Sequence, residues 1–328
     1  MSAPPQVMEA SSVPETAQAT IQFNIPSGTA TQQIGRDLEN AGLIRSADAW
    51  DVWARVLQWR DPQGGFKAGT YELSPNDSLE VIASKIWQGR VVQRSFTIPE
   101  GWSIQQMAEY FEAQGFFPAA DFIAAANNVD RTQHAWLPAE IPHLEGFLYP
   151  DTYKVNGDQV SATAIINQML ARFEQVALPL YTQAQNQTSY DLLEWVTLAS
   201  IVEKEAVVAN ERSRIAGVFT KRLEQGLPLG ADPTVEYALG IRQTADQPLT
   251  FAQVKIPSPY NTYINPGLPP TPIASPGIAS LKATLAPEDT PYLYFVARYD
   301  GTHVFSRTLS EHEAAIAAIR RQQSKTPS

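Results

Sequence analysis

One segment of this chain occurs twice, and the repetition constrains the fold more than any other feature of the sequence. The copies are FNIPSGTATQQIGRDLENAGLI (23–44) and FTIPEGWSIQQMAEYFEAQGFF (96–117), which align without gaps. In each copy, alternating apolar residues indicate a short strand, Pro-x-Gly indicates a turn, and a polar–apolar stretch ending at Gly42 or Gly115 indicates a helix. A weaker third copy occupies 69–89. Repeated strand–turn–helix units predict an α+β fold.

The length of the chain suits two domains. At roughly 150 residues per domain, 328 residues correspond to about two. All three copies lie within 21–118, which we predict to be an N-terminal module, and 119–322 then forms the second domain. Residues 1–20 lack Lys, Arg and apolar periodicity, which predicts a disordered leader. Residues 323–328 are predicted to be a frayed tail.

The composition excludes several classes of protein. There is no cysteine, which removes disulfides, thiolate metal sites and cysteine nucleophiles, and none of the four histidines has zinc-helix spacing. We therefore predict no metal. The glycine and serine motifs of P-loop, dinucleotide-binding and serine-hydrolase sites are also absent, and we predict no cofactor. The net charge of −10 disfavours nucleic acid and anionic membrane surfaces as partners.

Carboxylates are the remaining candidates for chemistry. The stretch 191–207 is the most apolar predicted helix, and it carries Glu203 and Glu205 near its end. Positions two apart on a helix differ by about 200° in direction, so these side chains point to opposite sides. Periodicity does not decide which of them faces the interior or a cleft. Both can equally be solvent-exposed carboxylates at a fraying helix end.

A carboxyl group among apolar neighbours is suited to general acid catalysis. Such neighbours disfavour the charged form and raise the pKa, so the group stays protonated near neutral pH and can protonate a glycosidic oxygen. Ordinary glycosidases need a second carboxylate as base or nucleophile. Asp232, in GADPTVEYALG, is one option, although Asp-Pro-Thr is also typical of a turn and helix start.

A proline-rich region follows these carboxylates. The pattern predicts mainly loops over 226–291, with seven prolines between 256 and 277 around the aromatic segment Tyr-Asn-Thr-Tyr (260–263). Long ordered loops inside a domain are usually functional. Alternation about an Asp-Gly turn then predicts a β-hairpin over 292–306, and 310–321 predicts a closing helix.

Six segments, in order, resemble the endolytic murein transglycosylases, the MltG or YceG-like family. They are FKAGTYEL (66–73), EGFLYPDTY (145–153), LASIVEKEAVVANERSRIAGVFTKRL (198–223), ADPTVEYALG (231–240), SPYNTYINPGLPPTPIASPGIASLKA (258–283) and TPYLYFVARYDGTHVFS (290–306). The resemblance covers nearly the whole chain from about residue 21.

The resemblance implies an activity and a mechanism. Such enzymes cleave the MurNAc–GlcNAc β-1,4 bond inside nascent peptidoglycan strands and leave 1,6-anhydro-MurNAc ends, which terminates strand elongation. The second glutamate of Glu-Lys-Glu is catalytic in the family, and it corresponds to Glu205. That residue would donate a proton to the leaving oxygen and then accept one from the C6 hydroxyl of the sugar. The nucleophile is intramolecular, so no second carboxylate is required.

The matching blocks also suggest which residues bind substrate. The expected substrate-binding residues are Asp232, Tyr260, Asn261, Thr262, Tyr263 and Glu145. Tyrosine and asparagine can hydrogen-bond an acetamido group, and aromatic rings can stack on sugar faces. Glu203 and Lys204 are expected to make contacts on the solvent side.

The fold expected is an N-terminal LysM-like strand–helix module followed by a mixed α/β catalytic domain that is not the lysozyme fold. LysM-like modules, which the repeated units resemble, bind N-acetylated glycans. The resemblance further implies peptidoglycan strands and cell-wall synthases (penicillin-binding proteins) as partners, at the outer face of the cytoplasmic membrane. Family members normally begin with one membrane-spanning helix. We expect this chain to be the soluble part without that anchor.

Two other functions compete with this interpretation. The first is a non-catalytic peptidoglycan-binding or scaffold protein, which would keep the repeated units without needing apolar surroundings for Glu205. The second is a lyase using pyridoxal phosphate, which would need a Schiff-base lysine and a phosphate cradle. No Gly/Ser-rich phosphate loop is evident in the sequence.

Overall fold

The computed structural model describes residues 20–128, 131–156, 160–244, 247–298 and 300–323. Apart from Thr20 and Gln323, the predicted leader and tail lie outside the described residues. The strands are β1 (Ile21–Ile25), β2 (Gly69–Leu73), β3 (Gln93–Thr97), β4 (Thr152–Asn156), β5 (Tyr294–Ala297) and β6 (His303–Ser306). The helices are α1 (Thr31–Asn40), α2 (Ala47–Arg60), α3 (Leu79–Gln88), α4 (Ile104–Ala113), α5 (Ala119–Asn127), α6 (Ala162–Val176), α7 (Leu178–Ala184), α8 (Leu192–Glu205), α9 (Arg212–Glu224), α10 (Asp232–Leu239), α11 (Ile278–Leu285) and α12 (Leu309–Gln323).

The chain divides into two compact units. The first comprises Met1–Ser95 with Lys154–Asp158, and the second comprises Phe96–Tyr153 with Gln159–Ser328. The first unit therefore ends before the second copy of the repeat, whereas the sequence placed the boundary after it, at residue 118. Hydrogen bonds explain the difference. The turn of the second copy is bonded to the loop before α11, through Gly101 N to Ser275 O and Ser275 N to Trp102 O, both at 2.8 Å.

The first unit is a small α+β module. Strands β1 and β2 pair antiparallel, with Ile21 opposite Leu73 and Ile25 opposite Gly69. Helices α1, α2 and α3 pack around a core that contains Leu38, Trp50 and Ile82, all completely buried. The pairing joins strands from the first and third copies of the repeat, so these copies form one hydrophobic core.

The turn glycines confirm the physical basis of the repeat. Gly28 and Gly101, in the two Pro-x-Gly turns, have φ of 81° and 76°. Gly42 and Gly115, just beyond the two helices, have φ of 70° and 68°. Residues with a Cβ rarely adopt this conformation, so the glycines are required where the strand turns and where the helix ends.

The second unit is built around α8. Residues Trp195–Val202 of this helix are all buried, and they pack against α9 and α11. The Trp195 indole donates a hydrogen bond of 3.0 Å to the Leu281 carbonyl of α11. Because eight consecutive residues of α8 are buried, every side of its middle part faces the interior. This helix therefore serves as the structural centre of the unit.

The structure adds detail to the elements predicted for the second unit. The region 226–291 is not only loop, since it contains α10 and α11. The capping box of α8 is formed by Asp191 and Glu194, each side chain accepting from the other's backbone N–H. The predicted hairpin and closing helix are confirmed as β5–β6 and α12.

The observed architecture is mixed α+β with small antiparallel sheets and many helices. Each sheet among the described residues has two strands: β1–β2, β3–β4 and β5–β6. Of the helices in the described ranges, none is long and apolar enough to cross a membrane.

Candidate active site

Glu205 is the last residue of α8, where the buried helix reaches the protein surface. Ala206, the next residue, is extended, with φ −85° and ψ 106°. Glu205 is partly exposed, whereas Val202, one turn earlier, is fully buried. The helix thus delivers one carboxyl group from the hydrophobic core to an accessible position.

The surroundings of the Glu205 carboxyl favour its protonated form. Burial, together with the negative charges of Asp232 and Glu236, raises its pKa from the usual 4.5 to about 8. Among the described residues, none donates a hydrogen bond or forms an ion pair to this carboxyl. A protonated and unengaged carboxyl at neutral pH is suited to donate its proton to a ligand.

Asp232 is held in place by two donors. It is the first residue of α10. Its Oδ1 accepts a hydrogen bond of 2.5 Å from the Tyr263 hydroxyl, and its Oδ2 accepts one of 3.1 Å from the Gln243 amide. The side chain of Tyr263 is 40% exposed, and burial of its hydroxyl together with the charges of Asp232 and Glu205 raises its pKa. The structure therefore brings Glu205, Asp232 and Tyr263 together.

Glu236 and Gln243 were missed by the sequence analysis. Glu236 lies one turn after Asp232 on α10, and its Oε1 accepts from the backbone N–H of Gln243. The i, i+4 spacing of Asp232 and Glu236 was a usable signal, because residues four apart share one face of a helix. No comparable signal marks Gln243, which follows the end of α10.

Glu203 and Lys204 do not make the solvent-side contacts that were expected. The Glu203 side chain is only 8% exposed, and its Oε2 accepts from Gly277 N at 3.0 Å and from Ser280 Oγ at 2.6 Å. Lys204 donates from Nζ to the Gly101 carbonyl at 3.3 Å, and its partial burial lowers its pKa. The expectation is wrong because α8 is surrounded by other elements up to its last turn.

The segment 260–263 divides into buried and accessible residues. Asn261 is completely buried, and its amide donates to the carbonyls of Val254 and Ile256 while its oxygen accepts from Tyr263 N. Thr262 is buried as well, and its hydroxyl accepts from Ala231 N at 3.0 Å. Both side chains have their polar atoms engaged, so direct substrate contact through them is not supported by this arrangement.

Tyr260 has an intermediate position. Its hydroxyl lies 2.7 Å from Thr271 Oγ1, and its ring packs against Tyr237 with centroids 4.9 Å apart. Tyr260 as a whole is partly exposed.

Glu145 lies in the interior rather than beside the other candidates. It is 3% exposed, and it accepts hydrogen bonds from Ile104 N at 3.0 Å and from the Tyr237 hydroxyl at 3.2 Å. Burial raises its pKa to about 8, which these hydrogen bonds partly oppose. Its contacts join the start of α4 to α10, and this position argues against direct substrate binding.

Comparisons with known proteins find a matching family and similar relatives. The model of the YceG-like family matches residues 23–318. A protein of Bacillus subtilis (strain 168) named endolytic murein transglycosylase is 33% identical over 318 residues, covering 92% of this chain and 86% of the relative. A protein of the same name from Streptococcus pneumoniae (strain D39) is 30% identical over 331 residues, but the chain spans only 58% of its length.

A solved structure is also similar. The 2.6 Å crystal structure of a YceG-like protein from Listeria monocytogenes has a TM-score of 0.62 and 33% identity, with 91% of this chain and all of that chain covered. Fold and site together define an α+β protein with one unengaged acidic group at the end of its central helix. The chain belongs to the YceG-like family and, like its relatives named endolytic murein transglycosylase, is an enzyme.

Proposed function

We propose that this chain is a lytic transglycosylase that cleaves peptidoglycan strands internally. The bond cut is the MurNAc–GlcNAc β-1,4 linkage, and the new end is a 1,6-anhydro-MurNAc. The observation that carries the proposal is the Glu205 carboxyl, which has a pKa of about 8 and no bonding partner among the described residues. Relatives named endolytic murein transglycosylase support the same assignment.

The reaction needs one carboxyl group acting twice. Glu205 gives its proton to the glycosidic oxygen as the bond from C1 to that oxygen breaks. The C6 hydroxyl of the same sugar forms a new bond to C1 and returns its proton to Glu205. Intramolecular attack replaces a bound water, because the C6 oxygen is already held near C1. The enzyme ends the cycle in its starting protonation state.

Asp232 and Tyr263 have two roles in this proposal. Asp232 keeps a negative charge near Glu205, which holds the acid protonated until the leaving oxygen develops charge. Tyr263, being 40% exposed, offers its ring to a sugar unit while its hydroxyl stays bonded to Asp232, and Tyr260 offers an additional ring face. We assign structural roles to three other residues. Asn261 and Thr262 hold the segment 260–263 in place, and Glu145 binds the start of α4.

The first unit is proposed to be a LysM-like module that binds the glycan. What supports this is its single core built from two repeated strand–helix copies with paired strands. The enzyme would act in the cell envelope, at the outer face of the cytoplasmic membrane. There it would terminate strand elongation near the cell-wall synthases that extend the strands.

The test is a digest of purified glycan strands with mass spectrometry of the products. Glu205→Gln keeps the shape of the side chain and removes its acidic proton. Glu174→Gln, which changes an exposed glutamate on α6, is the matched control. We expect wild type and Glu174→Gln to give ends one water lighter than hydrolysis products. The Glu205→Gln variant should be slower by about two to four orders of magnitude, the usual contribution of general acid–base catalysis.

Two outcomes contradict the proposal in different ways. Hydrated, reducing ends would indicate a hydrolase. Asp232 and Glu236, the two carboxylates whose charges act on Glu205, would then be the candidate bases to substitute next. Glycan binding without cleavage by wild type would favour the scaffold function instead.

A further inference from the structure

The three residues of the Glu-Lys-Glu sequence have three different environments. Glu203 is bonded into the interior, Lys204 donates to the Gly101 carbonyl, and Glu205 has no bonding partner among the described residues. Only the third of these is explained by acid catalysis. The position of Glu203, two residues before the acid and on the opposite side of the helix, therefore requires a separate explanation.

Glu203 connects the end of α8 to the beginnings of two other helices. Its Oε2 accepts from Gly277 N and Ser280 Oγ in the first turn of α11. Its Oε1 lies 3.8 Å from Nη2 of Arg212, the first residue of α9, and that side chain is only 13% exposed. A carboxylate is favoured at a helix N-terminus, where backbone N–H groups have no partner within the helix.

The backbone around this contact is closely packed. A Cβ added at Gly277 would lie 1.9 Å from Oε1 of Glu100, so a side chain at position 277 would displace the Glu100 carboxylate. Glycine at 277 thus leaves room for the Glu100 carboxylate beside the hydrogen bond from Gly277 N to Glu203. Burial and the charge of Glu203 raise the pKa of Glu100, and the charge of Arg212 opposes part of this rise.

The end of α8 depends on such side-chain contacts. The last carbonyl groups of a helix have no partner within it, and helix ends open more readily than helix centres. At α8 the following residue, Ala206, is extended, so the left-handed glycine ending seen at α3 and α10 does not complete this helix. The Glu203 and Lys204 side chains supply fixed contacts within its last turn.

We propose that Glu203 is a positioning residue, which fixes the last turn of α8 against α9 and α11 and thereby sets the direction of the Glu205 carboxyl. The inference rests on the proposed function insofar as Glu205 is the acid. Glu203 itself does not reach substrate, because its side chain is buried and both oxygens face protein groups.

The test compares three variants of the whole chain. Glu203→Gln keeps the size of the side chain and removes its charge. Ser280→Ala removes only the 2.6 Å donor to the same oxygen. Glu194→Gln changes a carboxylate in the first turn of the same helix, where its role is the capping box. Hydrogen exchange at the amides of residues 202–206 is measured for each variant, together with kcat and KM on glycan strands.

We expect Glu203→Gln to increase exchange at residues 202–206 and to lower kcat by about tenfold, with KM changed less than about twofold, because small displacements of a catalytic group cost rate. Ser280→Ala should act in the same direction but less strongly. Glu194→Gln should change exchange only in the first turn and leave kcat at the wild-type value.

Wild-type exchange at residues 202–206 in both Glu203→Gln and Ser280→Ala would overturn the proposal, as would unchanged kcat in both. If Glu203→Gln fails to fold, Ser280→Ala alone decides. If the wild-type chain cleaves no glycan, the proposed function fails, while hydrogen exchange still tests whether Glu203 fixes the helix end.

Discussion

The hydroxyl of Tyr263 lies 2.5 Å from Oδ1 of Asp232, although the two residues are thirty-one positions apart in the chain. Gln243 donates to the other oxygen of the same carboxylate. Two donors stabilise the negative charge of Asp232, and that charge lies close enough to Glu205 to raise its pKa. A loop tyrosine is therefore connected, through one carboxylate, to the protonation of the candidate acid.

Removing the Tyr263 hydroxyl tests this connection. Tyr263→Phe keeps the ring and deletes one charge-assisted hydrogen bond, which is worth about 1.5–3 kcal/mol. We expect kcat/KM to fall by about tenfold or more in steady-state cleavage assays. Tyr181→Phe, which loses a hydrogen bond to the Tyr190 carbonyl, is the control and should keep wild-type kcat/KM. Equal rates for Tyr263→Phe and wild type would contradict the role given to this hydroxyl.

The pH dependence of cleavage should show Glu205 as an acid. Its pKa is raised to about 8, so the protonated, active form predominates below that pH and is lost as the pH rises through it. Asp232→Asn removes a neighbouring negative charge, which should lower the pKa of Glu205 and move the loss of activity to lower pH. The measurement is kcat against pH from 5 to 10. If kcat is lost at the same pH in Asp232→Asn and in wild type, the charge of Asp232 does not act on Glu205.

The protein should become less stable as the pH rises, because of Glu145. Its pKa is raised from 4.5 to about 8 in the folded chain, so the folded state binds more protons than the unfolded state between these values. The free energy of unfolding then falls as the pH rises through this window, by roughly 1.4 kcal/mol per pH unit for one such group. The free energy of unfolding, measured by urea denaturation at pH 5 and pH 8, should fall less between these values in Glu145→Gln than in wild type. Identical pH dependence in variant and wild type would refute this assignment.

The buried amide of Asn261 should matter more for stability than that of Asn265. Asn261→Ala leaves the Val254 and Ile256 carbonyls without their donor, at a cost of about 1–3 kcal/mol. Asn265 also donates to two carbonyls, but it is exposed, and water can replace it in Asn265→Ala. Chemical denaturation of both variants measures the difference. If the two variants lose equal stability, burial does not decide the role of Asn261.

Gly146 should tolerate no side chain. Its φ is 83°, and a Cβ would lie 2.4 Å from Cβ of Pro272 and 3.0 Å from Cγ1 of Val196. Gly146→Ala should therefore cost more than the roughly 1–2 kcal/mol of a left-handed alanine alone. Gly226→Ala, with φ 66° and nothing within 4 Å, isolates that backbone cost. Thermal unfolding compares the two, and equal losses would show that the contact with Pro272 relaxes freely.

Local chemistry made much of the fold accessible from the sequence. The repeat, its turn glycines, α8 and the β5–β6 hairpin follow from periodicity and from residues that require a particular backbone conformation. Helices α10 and α11 could not be predicted from periodicity, because each is only eight residues long and lies among prolines that indicate loops. Short helices of this kind are stabilised by packing, which a sequence pattern does not contain.

The candidate site could be predicted only with the help of the family motif. Periodicity could not choose between Glu203 and Glu205, and the family motif was needed to do so. What separates the two residues is tertiary: the position of Gly277 and Ser280 on one side of α8, and of Asp232 and Glu236 on the other. Those neighbours come from segments up to seventy-seven residues away, so no local pattern records them.

The division of the chain into units affects the order in which its parts can form during synthesis. A ribosome releases the chain from its N-terminus, so β1 and β2 can pair once Leu73 has emerged. Strand β3 follows soon after, but its partner β4 begins only at Thr152. Until then, the backbone edge of β3 has no strand to pair with. The second copy of the repeat is therefore completed late, although it is translated early.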